Sequence, residues 1–225
     1  MLHLYCIVPA SHPLPQDCRG IDARPPFAVH SGSLAVWATE HADAVAPGIE
    51  VVRMHNAVIA AAMDSRITPI PLRFGQTAPD SGAAEERLAG ESAKWTALLA
   101  RFAGRAEYGV RVLRYVTAAE QDVHTPIPES GTEYMAALAR KQAQAGQRRA
   151  EGERIASSIA SRVEELVDDS RVEYASTGEL LVAIANLVAW TAAERYHGAM
   201  REVCEVSQDT QFVLTGPWPP YSFVE

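Results

Sequence analysis

The chain has 225 residues and a formal net charge of −8, with 48% hydrophobic and 21% charged residues. An acidic globular chain without a basic stripe argues against nucleic acid or anionic membrane lipid as its partner. Its longest apolar run, "LLVAIANLVAW" at Leu180 to Trp190, has 11 residues, whereas a membrane-spanning helix needs ~20. The N-terminus "MLHLYCIVPASHPLP" has no basic residue before Arg19 and no long apolar core, so it does not resemble a signal peptide and we expect a cytoplasmic protein. The length suits two small domains.

The first half of the chain predicts short strands alternating with helices. "LHLYCIV" and "SLAVWAT" are β-prone runs separated by a proline-rich loop through Pro25 and Pro26. Apolar residues at helical spacing predict a helix from Val51 to Met63, which ends before an edge-type strand in "ITPIPLRFG". A second helix is predicted to begin at Ser81 and to end at Gly104. The predicted order is β, β, α, β, α.

The second half begins with "EYGVRVLRYV", a strand whose buried face should carry Tyr108, Val110 and Val112. After a proline-containing linker, the capping box "SGTE" at Ser130 to Glu133 predicts the start of a long helix. The middle of this helix, "RKQAQAGQRRAEGER", is polar all round. It is either a solvated helix that extends past the domain or a helix break.

The remaining segments predict a hairpin, a helix and a final strand. "RVEYA", "STG" and "LLVAIANLV" suit a strand, a turn and a strand, although "STGE" also fits a capping box and leaves a helix from residue 177 as the alternative. The hairpin is preferred because "TAAE" at Thr191 to Glu194 begins another predicted helix too soon afterwards. With "TQFVLTG" as the last strand, the order from Glu107 is βαββαβ, the ferredoxin-like plan.

These elements predict an α+β fold with two domains. Residues 1–104 form a mixed α/β domain, residues 105–215 form a ferredoxin-like domain with an extended helix, and residues 216–225 form an aromatic and proline-rich tail. The three prolines of this tail favour an extended path that presents Trp218, Tyr221 and Phe223 with little entropy to lose on docking. The tail either packs on the N-terminal domain or turns its rings toward an apolar partner, and both can hold together.

Catalytic sequence motifs are absent. The chain has no G-x-G-x-x-G, Walker loop, H-E-x-x-H or G-x-S-x-G, so we expect no catalytic residues, no metal site and no cofactor. Glu40, His41 and His55 form the only suggestive set, and Arg73 is a candidate anion ligand. Such loose sets are most often structural. The alternative function is a small-molecule-binding or enzymatic α+β protein with a pocket formed by His55, Arg73 and Glu40.

The chain resembles the gas vesicle protein F/L family (GvpF/GvpL). Its ending, "LTGPWPPYSFVE", is similar to the C-terminal signature of that family. "LHLYCIV", "SLAVWAT", "HNAVIAAAMDSRITPIPLRFGQT", "EYGVRV" and "SGTEYMAALARKQ" are similar to other family segments in the same order, so the resemblance covers almost the whole chain. It implies a non-catalytic accessory or minor structural protein of gas vesicles, the protein-walled, gas-filled compartments that give some prokaryotes buoyancy.

The resemblance also implies partners and a location. The partners are the major gas vesicle shell protein and other gas vesicle accessory proteins, and the location is the cytoplasm and the gas vesicle. A shell subunit with an exposed apolar face would aggregate unless another protein shielded it. By resemblance, the partner-binding surface comprises Arg73, Phe74, Trp218, Pro219, Pro220, Tyr221 and Phe223.

Overall fold

The computed structural model describes residues 1–63, 67–115, 130–206 and 210–224. The chain divides into two compact units, one formed by Met1–Glu107 with Pro217–Glu225 and the other by Tyr108–Gly216. Within the described residues the fold is α+β, as predicted, with two sheets and five α-helices.

The first unit contains a five-stranded sheet and three helices. In the sheet, the strands follow the order β2-β3-β1-β4, and β5 also pairs with β1. The pairings are antiparallel. The strands are β1 (Leu2–Pro9), β2 (Phe27–Ser31), β3 (Leu34–Glu40), β4 (Ile70–Pro71) and β5 (Thr77–Ala78), and the helices are α1 (Ile49–Ala61), α2 (Ser81–Gly90) and α3 (Ser92–Phe102).

Strand β1 is buried on both faces. Cys6 and Val8 pack in a core cluster with Val58 and Ile59 of α1. Leu4 and Ile7 share a small cavity with Leu88 of α2 and Trp95 of α3, so these two helices cover the opposite face. A strand covered on both faces has a continuous apolar sequence rather than an alternating one, which accounts for "LHLYCIV".

Two predictions for the first unit are wrong. Residues 27–31, where no strand was predicted, form strand β2, and Gly32, at φ +58°, makes the tight turn into β3. The single helix predicted from Ser81 to Gly104 is two helices, because the backbone leaves helical geometry at Glu91 (φ −117°, ψ 21°). The cap of α2 is Asp80, whose Oδ1 accepts from the Ala83 amide at 2.9 Å.

In its described residues the second unit has a four-stranded sheet and two helices. Its elements are β6 (Arg105–Arg114), α4 (Gly131–Val163), β7 (Asp169–Tyr174), β8 (Leu180–Ala189), α5 (Ala193–Val206) and β9 (Thr210–Trp218), of which β6 begins and β9 ends in residues of the first unit. The strands follow the order β7-β8-β6-β9, and β7 and β8 are antiparallel. Helix α4 packs against β7, β8 and α5.

The hairpin predicted in this unit is confirmed, and the alternative helix from residue 177 is wrong, because β8 pairs with β7 along its length. The helix start predicted at "SGTE" is also confirmed, since Ser130 Oγ accepts from the Glu133 amide at 3.2 Å and caps α4. The predicted box "TAAE" at Thr191 to Glu194 is not the start of α5. A 3-10 turn at Trp190–Ala192 leads into this helix, which begins at Ala193. The predicted linker between Tyr115 and Ser130 lies outside the described residues.

Two glycines of α4 make a matched test of its packing. A Cβ atom at Gly152 would lie 3.2 Å from the Leu181 carbonyl oxygen and from a ring carbon of Tyr174, whereas a Cβ at Gly146 would meet nothing within 4 Å. We expect Gly152→Leu to destabilise the protein by about 1–3 kcal/mol through overpacking. Gly146→Leu should be neutral or stabilise by ~0.5 kcal/mol, since leucine favours the helix. Urea unfolding of both variants measures the difference, and equal effects would contradict this packing.

Candidate functional site

The C-terminal tail is folded against the first unit. After β9, Pro219 and Pro220 are buried, and a 3-10 turn at Tyr221–Phe223 follows. Phe223 is only 1% exposed. Because the prolines have fixed φ and no amide donor to satisfy, they can be buried here at little cost. The tail is therefore an ordered part of the unit.

Hydrogen bonds hold the turn in place. The Ser222 amide donates to Glu107 Oε2 and the Ser222 hydroxyl donates to Glu107 Oε1, both at 2.8 Å. The Tyr221 hydroxyl donates to Asn56 Oδ1 at 2.9 Å. Burial, and then the nearby Cys6 and Glu107, raise the pKa of the Tyr221 hydroxyl, which keeps this donor protonated. One carboxylate that accepts two hydrogen bonds fixes both the position and the orientation of the turn.

Trp218 differs from the other rings of the tail because it is 48% exposed. Tyr221 and Phe74 are half-buried, and both pack against the core cluster of the first unit. Arg73 is exposed. The predicted partner-binding residues therefore separate into an exposed pair, Arg73 and Trp218, and a buried or half-buried set: Phe74, Pro219, Pro220, Tyr221 and Phe223.

A surface pocket of about 220 Å³ joins the "PLRFG" segment to the tail. Arg87 Nη2, at its wall, donates to Gln76 Oε1 at 2.8 Å. Its lining brings Arg73 and Tyr221 together. The lining residues are Pro71, Leu72, Arg73, Gln76, Arg87, Tyr221 and Val224.

His55 belongs to a buried histidine pair that the sequence did not predict. His55 Nε2 lies 2.9 Å from the Leu72 carbonyl oxygen and His55 Nδ1 lies 2.9 Å from His3 Nε2. A carbonyl oxygen can only accept, so neutral His55 donates to it from Nε2 and accepts at Nδ1 from His3. His3 Nδ1 is then unprotonated, and it is buried with no hydrogen-bond partner among the described residues.

The predicted pocket of His55, Arg73 and Glu40 does not form. His55 is buried and both its ring nitrogens are engaged, while Glu40 and Arg73 are exposed. His41 is also buried, and it contacts Thr39 Oγ1 at 2.9 Å. Neither His55 nor Glu40 is among the residues that line the pocket beside Arg73.

Sequence reasoning missed His3 because alternation in "LHLY" gives no sign that both faces of β1 are buried. The signal that was available is the continuous apolar run around it. The His3 ring lies 5.1 Å from the ring of Phe74 and 5.1 Å from that of His55, measured between ring centroids. These contacts make the histidine pair part of the packing beneath the "PLRFG" segment.

The family of the chain follows from comparison with known proteins. The profile of the family described as "Gas vesicle synthesis protein GvpL/GvpF" matches residues 1–225. The chain belongs to the GvpL/GvpF family. The resemblance recognised in its motifs is thereby confirmed.

Known GvpF proteins match the chain over nearly its full length. Gas vesicle protein F of Streptomyces sp. (strain CB03234) is 26% identical over 242 aligned positions, which cover 99% of each chain. The crystal structure of GvpF from Anabaena sp. PCC7120 has a TM-score of 0.79 at 19% identity and covers 100% of this chain and 95% of that one. GvpF from Microcystis aeruginosa gives a TM-score of 0.74 at 14% identity, with 100% and 98% covered. These structures share the α+β fold of the chain.

In the ranges 1–63, 67–115, 130–206 and 210–224, the helices are all too short or too polar to cross a membrane.

The buried histidines predict a stability that falls on acidification. Burial, and then the neighbouring His55 and His41, lower the pKa of His3 from 6.5 to about 4, and burial lowers the pKa values of His55 and His41. Unfolded histidines take up protons near pH 6.5, whereas folded His3 resists protonation until about pH 4. As the pH falls from 6.5 to about 4, the lowered pKa of His3 should therefore reduce the free energy of unfolding by up to ~3 kcal/mol.

Urea unfolding at pH 7 and pH 4.5 measures this loss, and the His3→Leu variant separates it from the titration of carboxylates. The variant should lose less stability than the parent between the two pH values. An identical loss in both proteins would show that His3 does not resist protonation.

The tail anchor makes a second prediction. Glu107→Ala removes both acceptors of Ser222, and hydrogen bonds to charged groups contribute about 1.5–3 kcal/mol. We expect the Ser222 amide to exchange its hydrogen at least tenfold faster in this variant, as measured by NMR or mass spectrometry. Glu107→Gln keeps one carbonyl acceptor and should give an intermediate rate. An unchanged rate in Glu107→Ala would mean that other contacts hold the tail.

Proposed function

We propose that this protein is a gas vesicle accessory or minor structural protein that binds the major gas vesicle shell protein and supports gas vesicle assembly without catalysing a reaction. Its partners would be the shell protein and other gas vesicle accessory proteins, rather than nucleic acid or membrane lipid. It would act in the cytoplasm and on the gas vesicle. The family description, a gas vesicle synthesis protein, supports a role in assembly.

The observation that carries the binding proposal is the exposure of Trp218 on an anchored tail. Its neighbours Pro219 and Pro220 are buried and the following turn is tied to Glu107. A ring held in this way loses little conformational entropy on binding. Tryptophan is also among the residues that contribute most to binding energy at protein interfaces.

Arg73 supplies a different contribution. It is exposed, it carries a positive charge in an acidic protein, and it lines the same pocket as Tyr221. Exposed charges steer a partner and set its orientation more than they add affinity. In this proposal, Trp218 buries against an apolar part of the shell protein, and Arg73 faces a polar or acidic group beside it.

The proposal includes a domain arrangement. A mixed α/β domain at 1–104 would carry the tail, 216–225, and a ferredoxin-like domain would occupy 105–215. The order β7-β8-β6-β9 and the βαββαβ succession support the ferredoxin-like interpretation of the second domain.

The test is a pull-down of the major shell protein by the full chain and by Trp218→Ala. Since Trp218 is half-exposed, the variant should keep its melting temperature within about 2 °C while capture falls at least tenfold. Tyr115→Ala, which removes a ring that is 61% exposed in the other unit, is the matched control and should capture the shell protein as the parent does.

Phe223→Ala distinguishes anchoring from contact. Removing this buried ring should lower the melting temperature. Any loss of capture should then accompany disorder of the tail rather than loss of a direct contact. If Trp218→Ala and Tyr115→Ala capture the shell protein equally well, the partner surface is not at the tail. If the parent chain captures none, the binding function is wrong.

A further inference from the structure

The long helix α4 has two halves with different surroundings. It contains 33 residues, which gives a length of ~50 Å. Its buried residues all lie in the second half: Gly152, Ala156, Ile159 and Val163. The first half has three large apolar side chains in the open, with Tyr134 59%, Met135 63% and Leu138 38% exposed.

Tyr134 and Leu138 lie on the same side of the helix as the buried residues. The buried residues recur at steps of three or four, and the same steps continue backwards through Arg148, Ala145, Lys141, Leu138 and Tyr134. A face that packs against its own sheet near Val163 is therefore directed the same way at Tyr134. We name the stripe formed by Tyr134, Leu138, Lys141 and Ala145 the open stripe.

Arg148 marks the end of the covered part. Its Nη2 donates to the carbonyl oxygens of Gly178 and Leu180, the second at 3.0 Å, so the β7–β8 hairpin reaches this point of α4. In the part of the chain that the structure describes, the open stripe beyond it stays exposed or half-exposed. The core-facing side of the helix thus extends about four turns past the sheet that covers it.

One exposed positive charge, Lys141, lies within the open stripe. Arg148 and Arg149, at its end, are already engaged, since Arg148 donates to the β7–β8 hairpin and Arg149 Nε lies 2.9 Å from Glu153 Oε1. Before them, residues 131–147 contain two basic side chains and one acidic one, and Arg140 and Glu133 fall on the other side of the helix. A partner with carboxylates beside its apolar residues would complement this face.

Two other occupants fit the open stripe less well. In a pairing of two copies of α4, Lys141 of one helix would approach the basic residues of the other, which is unfavourable. An anionic lipid surface needs a wide apolar face, but the open stripe is narrow and has Lys141 at its centre. Steps of three and four with a small residue, Ala145, instead suit close packing of a second helix.

We propose that the first half of α4 binds an amphipathic helix of another protein, with its apolar residues along the open stripe and a carboxylate against Lys141. This surface is separate in sequence from the tail and does not depend on the binding of the shell protein proposed above.

The probe is a synthetic heptad peptide with leucine at its apolar positions and glutamate at the flanking positions, compared with one that has lysine there instead. Fluorescence anisotropy with the full chain should show at least tenfold tighter binding of the acidic peptide. Leu138→Glu should weaken that binding at least tenfold, because it places a carboxylate on the open stripe. Thermal melts of each variant confirm that the fold is intact.

Neighbouring residues provide the matched control. Lys141→Glu and Arg140→Glu make the same charge change one residue apart, but on different sides of the helix. Lys141→Glu should weaken binding at least fivefold and Arg140→Glu less than twofold. Equal effects would mean non-specific attraction and would overturn the proposal, as would equal binding of the two peptides.

Two further measurements test the other occupants. If sedimentation shows a dimer that Leu138→Glu dissociates, a second copy covers the open stripe and the proposal is wrong. If vesicles of phosphatidylserine and phosphatidylcholine bind the chain and Leu138→Glu abolishes that binding while the acidic peptide does not bind, the surface is a lipid surface instead.

Discussion

Strand β1 pairs with β3, β4 and β5 and is covered on both faces by helices, and the first unit is assembled around it. Its register with β3 shifts between Leu4 and Cys6, and the carbonyl oxygen of the intervening Tyr5 accepts from the Leu72 amide at 2.8 Å. That bond places the "PLRFG" segment beside the strand. The Tyr5 hydroxyl accepts from the Ile21 amide at 3.0 Å and contacts Thr39, so one side chain also ties the proline-rich loop to β3.

The double burial of β1 explains why the unit contains neutral histidines. His3 lies on this strand and is buried, so its neutral form is favoured, with its one proton donated to His55. Both rings of the pair pack against Phe74, and neither histidine lines the pocket beside Arg73. His55, which the sequence suggested for a pocket, has both ring nitrogens engaged in hydrogen bonds inside the first unit.

The tail and the helix α4 present apolar side chains in two different ways. At the tail, a short segment is held by Glu107 and by buried prolines, and one ring, Trp218, is left half-exposed. On α4, a regular helix continues beyond the sheet that covers its core face, so the same side becomes a surface. At the tail, local contacts orient the single residue Trp218. On α4, the rigid helix backbone orients the open stripe.

Local sequence determined the elements whose signals are local, including the hairpin of β7 and β8, the cap at Ser130 and the family signature of the tail. It did not determine β2, because five residues after two prolines carry too little periodic signal. It did not predict the break between α2 and α3, because the chain turns there at Glu91 and no proline marks the break in the sequence. Only the tertiary structure decided which residues of the tail are exposed, that His3 pairs with His55, and that the polar helix turns its core face to solvent. Those outcomes depend on contacts between residues far apart in the chain, such as Glu107 with Ser222, and no local pattern encodes which distant side chains will meet.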